Sequence, residues 1–119
     1  MNIQLECVDS TYSLSGNIAT VTLTFRLVDT DLTDENGNPK VLDVKTISVS
    51  QNVLDPNAKD NLKAKILTQV EKYLTSAKTN VSVIYNLFGT TDPEQILENL
   101  KNELQTDIQA LVQNTFGGN

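Results

Sequence analysis

Residues 18–28 read IATVTLTFRLV, and this stretch decides the fold of the first half of the chain. Ala19, Val21, Leu23, Phe25 and Leu27 fall on one parity, and Thr20, Thr22, Thr24 and Arg26 on the other. Strict alternation with β-branched and aromatic residues is the signature of a strand with one face on a core and one face in water. Upstream, residues 2–8 (NIQLECV) alternate likewise, with Ile3, Leu5 and Cys7 expected inward. Ser15-Gly16-Asn17 supplies the turn that joins the two as an antiparallel pair.

Downstream, residues 41–50 (VLDVKTISVS) predict a third strand whose pattern slips. Leu42 and Val44 share one parity, Ile47 and Val49 the other, and a β-bulge near Lys45 or Thr46 would reconcile them. Between strands two and three, residues 29–40 (DTDLTDENGNPK) carry Asn36-Gly37 and Asn38-Pro39, which mark an exposed hairpin loop.

From residue 55 the period changes from two to about 3.6. Asp55-Pro56 predicts an N-cap followed by Pro at the first helical position. Leu62, Ile66, Val70, Tyr73 and Ala77 then line one helical face. Residues 79–88 admit two readings: NVSVIYNLF is β-branched enough for a fourth strand, while Val81, Ile84 and Phe88 continue the helical stripe, which favours an extension of the helix. Gly89 stops that element. Asp92-Pro93-Glu94-Gln95 predicts a second N-cap, with Gln95 positioned to close a capping box. Leu97, Leu100, Leu104, Ile108 and Leu111 form the stripe of the second helix. Gly117-Gly118 is similar to the ends of ubiquitin-like modifiers, but here three strands precede the first helix and Asn119 follows, so the tail reads as frayed.

Composition narrows the functional classes. The net charge is −6, which disfavours nucleic acid, held through a basic surface, and anionic lipid alike. MNIQLEC has neither the basic nor the apolar region of a signal peptide, and no apolar run reaches the ~18 residues of a membrane span. The single cysteine, Cys7, forms no internal disulfide, which fits a reducing compartment. With no histidine, the commonest general base and transition-metal ligand is missing. The charge is also unevenly placed. Residues 1–55 carry eight acids and three bases; residues 56–91 are net +3, with Lys59, Lys63, Lys65, Lys72 and Lys78 against Asp60 and Glu71; residues 92–119 are net −4. A basic helix is thus followed by an acidic one, which suits a mixed pairing within or between chains.

No catalytic constellation emerges. The loop Asp29, Asp31, Asp34, Glu35, Asn36, Asn38 is rich in oxygen ligands, but neither a frame starting at Asp29 nor one starting at Asp34 fits a calcium loop, because position 6 is Asp34 in the first and Pro39 in the second, not Gly. Cys7 on an inward parity, with no histidine to activate it, reads as a buried structural thiol. Nothing sets two carboxylates across a cleft, and no glycine-rich phosphate loop follows a strand. No cofactor, metal or small-molecule substrate is expected. Length adds a positive clue: a helix over 57–88 would be about 48 Å long, more than the ~33 Å of a ten-residue strand, so a neighbouring subunit is the simplest cover for the excess.

A threonine-rich strand such as ATVTLTF, a turn like DENGNP, a second strand like VKTISV and an Asp-Pro-led helix, together spanning about residues 18–70, resemble the small virion structural proteins of tailed bacteriophages. The resemblance implies a structural role in a capsid, neck, tail or baseplate through repeated self-association, in a virion assembled in the host cytoplasm, with other structural proteins of the particle as partners. The combined expectation is a single α+β domain, with a β-rich part (1–54) and a helical part (55–119): a three- or four-stranded antiparallel sheet followed by two C-terminal amphipathic helices. Its expected function is that of a non-enzymatic oligomeric subunit whose contacts include Leu97, Leu100, Leu104, Ile108 and Leu111. The alternative is a monomeric acidic adaptor or chaperone for a basic partner protein.

Overall fold

A computed structural model describes residues 1–117 of the chain. Gly118 and Asn119, part of the tail read as frayed, lie outside the described residues. The architecture is α+β: strands β1 (Ile3–Ser15), β2 (Ile18–Thr33) and β3 (Pro39–Asn52), then helices α1 (Ala58–Phe88) and α2 (Pro93–Phe116). The strands form one antiparallel sheet in the order β1-β2-β3. The chain divides into two compact units, Met1–Ser82 and the part from Val83 onward, and their boundary falls inside α1.

The alternation of β2 places the first unit's core as far as Leu27, after which Val28 and Asp29 are buried as well. Ala19 and Leu27 of β2 are buried, as are Ile47, Val49 and Gln51 of β3, and Val21, Leu23 and Phe25 lie half-buried on the same parity. Against this face α1 sets the stripe read from sequence: Leu62, Ile66, Val70 and Tyr73 are half-buried and Ala77 is buried. Two polar contacts fix the helix beside β3. Lys65 Nζ donates to the Ser50 carbonyl at 2.7 Å, and the Tyr73 hydroxyl donates to Asp43 Oδ2 at 2.7 Å. On the opposite face the threonines of β2 meet hydroxyls of β3 directly: Thr20 with Ser50 at 2.8 Å, Thr22 with Ser48 at 3.0 Å and Thr24 with Thr46 at 3.1 Å.

Several boundaries and faces differ from expectation. The strands are longer than the apolar runs, because paired backbone carries them through polar residues. The loop between β2 and β3 accordingly shrinks to residues 34–38. There Asp34 Oδ1 accepts from the N–H groups of Asn36 and Asn38, and Gly37 takes φ +80°. No bulge occurs at Lys45 or Thr46. Those residues pair in register with Phe25 and Thr24, and the register shifts instead at Leu42, between the pairs Leu27–Asp43 and Val28–Val41, and again between the pairs Asp29–Lys40 and Thr33–Pro39. Val44 therefore points to the exposed face, opposite Arg26, and the parity of β3 is unbroken from there to Val49. β1 also carries a bulge, between Cys7 and Asp9. Of its three expected inward residues only Leu5 is half-buried; Ile3 and Cys7 are exposed. β1 is an edge strand, both hydrogen bonds from α1 to the sheet end on β3, and Tyr12 and Leu14, which pair with the inward Val21 and Ala19, are exposed.

The helical half resolves the open reading: residues 79–88 are helix, and the sheet has three strands. Val81, Ile84 and Phe88 continue the half-buried stripe. Gly89 ends α1 with φ +73° and its N–H on the Tyr85 carbonyl, a left-handed C-terminal cap. Asp55 is not the N-cap of α1. It forms a preceding turn, accepting from Asn57 N–H and Asn61 Nδ2, and the helical ladder starts on the Asn57 carbonyl.

Candidate functional site

α2 is set by local chemistry. Asp92 caps it, its Oδ1 accepting from the Glu94 N–H at 3.0 Å, and Pro93 occupies the first helical position, where its missing N–H costs nothing. The expected capping box does not close: Gln95 Nε2 reaches forward to Asn99 Oδ1, one turn on, and not back to the cap. At the other end the Gly117 N–H donates to the Gln113 carbonyl.

The stripe of α2 is brought together as read. Leu97, Leu100, Leu104, Ile108 and Leu111 recur every three or four residues and share one face. Burial separates them. Leu100 is half-buried, whereas Leu97, Leu104, Ile108 and Leu111 are 54, 51, 47 and 63% exposed. Val112 and Phe116 add apolar surface at 41 and 69% exposure, and no residue of α2 is buried. An amphipathic helix draws most of its stability from burying its apolar face, and this 24-residue helix leaves most of that face exposed.

A second uncovered surface lies on α1 and was missed by the stripe analysis. Leu67 is 65% exposed and Leu74 is 39% exposed; with Val70, Glu71 and Lys78 they line a shallow groove of about 450 Å³. The signal was present in the sequence. Leu67, Val70, Leu74, Ala77, Val81, Ile84 and Phe88 follow a three-four spacing, a seam that shares Val70, Ala77, Val81, Ile84 and Phe88 with the half-buried stripe but adds the exposed Leu67 and Leu74 at its start. Choosing the stripe through Ile66 and Tyr73 hid it.

Cys7 is exposed, with its Sγ 3.5 Å from the Asp9 carbonyl, and so is not the buried thiol expected. Asp34 uses its carboxylate on its own loop. Asp29, although only 2% exposed, accepts from the N–H groups of Asn2 and Asp31. Among the described residues no three His, Cys, Asp or Glu side chains converge as a metal site, and no helix is long and apolar enough to cross a membrane. A hollow of about 620 Å³ between β3 and α1 is lined by polar groups including Gln51, Asp55, Asn61 and Lys65, and Lys65 is held there by Ser50. Burial, then the hydrogen bond to Asp43, pushes the Tyr73 hydroxyl well above its ordinary pKa, which keeps it a donor and not a base.

Compared with protein-family models, curated proteins and solved structures, the chain matches none.

Proposed function

We propose that this chain is a non-enzymatic structural subunit that works by associating with further copies of itself, as a component of a bacteriophage virion. The observation that carries the reading is the apolar face of α2: four of its five stripe residues lie about half exposed or more, on a helix with no buried residue. The occupant is a second copy because the chain supplies its own electrostatic complement. The segment holding α2 is net −4 and the segment holding α1 is net +3. Opposite charge steers and orients such an encounter, while the apolar face supplies its affinity. The virion assignment rests on the likeness of residues 18–70 to small phage structural proteins.

Light scattering over a range of concentrations tests this. The wild type should weigh more than the 13.1 kDa of one chain and gain mass with concentration. Leu104→Gln with Ile108→Gln, changes at exposed positions that leave the fold intact, should return it to one chain. A wild type that stays at 13.1 kDa throughout overturns self-association and transfers the α2 face to a basic partner protein.

A further inference from the structure

The surface on the second copy that receives α2 can be identified, given self-association through α2 as the starting point. We propose that the α2 stripe of one copy packs antiparallel into the groove on α1 of another, with Leu104 opposite Leu67 and Leu97 opposite Leu74.

Three observations converge on this pairing. Both surfaces are apolar and exposed: Leu67 and Leu74 on α1, Leu97 and Leu104 on α2. Both leucine pairs are seven residues apart, two helical turns, so one antiparallel register sets both pairs opposite each other. The same register also matches charge. Glu71 lies three residues before Leu74, and Lys101 lies three before Leu104 and four after Leu97. Antiparallel alignment brings them to the same border of the seam. Lys78, four after Leu74, then meets Glu94, three before Leu97, and Lys63, four before Leu67, meets Asp107, three after Leu104. Each of the three contacts joins opposite signs, although α1 contributes two bases and one acid and α2 two acids and one base. A general attraction between a basic and an acidic helix would not require the exceptions, Glu71 and Lys101, to find each other. Reciprocal exchange of α2 between two copies makes the contact isologous and closes a dimer.

A charge-reversal cycle on the full chain tests the register. Glu71→Lys and Lys101→Glu should each raise the dimer dissociation constant about tenfold, since each change converts two attractions per dimer into repulsions. The double variant should restore wild-type association, and circular dichroism should show all three folded. Leu67→Gln, at an exposed site, should weaken association without lowering the melting temperature of the isolated chain at low concentration. If the wild type associates but neither single reversal weakens it, or the double variant stays as weak as the singles, this register is wrong and the function reading above survives. If the wild type is monomeric and the cycle appears only in its concentration-independent melting temperature, α2 folds back on its own chain and both readings fall.

Discussion

Tyr73 shows how much a single side chain can do in a small core. Its ring belongs to the half-buried stripe of α1, and its hydroxyl donates to Asp43 across to β3. Tyr73→Phe keeps the ring and removes the donor, so urea denaturation should show a loss of about 0.5–1.5 kcal/mol near neutral pH. The pH dependence follows from the direction of the shift. Burial and the carboxylate raise the folded pKa above the ordinary value of 10, so the phenol's contribution is complete below pH 10 and is lost as pH rises beyond it. The gap between wild type and Tyr73→Phe should therefore close above pH 10, and a gap that widened there would refute the assignment. Leu62, Ile66, Val70, Tyr73 and Ala77 were legible in the sequence because a helix against a sheet leaves a regular period. Cys7 was not: its alternation is genuine, but alternation reports parity, and whether a face is covered depends on which strand the helix lies beside, here the other edge strand, β3.

At the scale of elements, punctuation was more legible than the inner pattern. Gly89 and Asp92-Pro93 bracket the junction of the two helices as read, because a left-handed residue and a capping carboxylate act locally. Gly89 sits at φ +73° with nothing within 4 Å of where a side chain would begin. The cost of replacing it is thus backbone strain alone. Gly89→Ala should cost about 1–2 kcal/mol in a thermal or urea melt, and Gly89→Asn clearly less. The bulge of β3 was misplaced for a physical reason. From sequence, the change of parity between Val44 and Ile47 looks like a break, but an exposed valine on the outer face of a strand carries no packing penalty large enough to forbid it. The bulge at Leu42 left no trace in the pattern, since register is set by the partner strand.

For the whole molecule, charge is the feature that couples the chain to its surroundings. An interface built on leucines with three bordering ion pairs should weaken as salt rises but not vanish. Exposed pairs are screened once the Debye length drops from about 10 Å at 0.1 M to about 3 Å at 1 M, whereas apolar burial is not. Sedimentation or scattering across that range should find the dissociation constant rising several-fold and then levelling; a collapse of association in high salt would mean that charge alone holds the copies together. The rows of hydroxyls on the far side of the sheet behave differently. In Thr20–Ser50, Thr22–Ser48 and Thr24–Thr46 either oxygen can be the donor, so each row can reverse its polarity without moving an atom heavier than hydrogen. These three rows hold their hydrogen bonds with no titrating group, although Arg26 on the same parity carries a charge on that face. The three hydroxyl rows thus answer neither to protons nor to salt, unlike the ion pairs proposed for the helices.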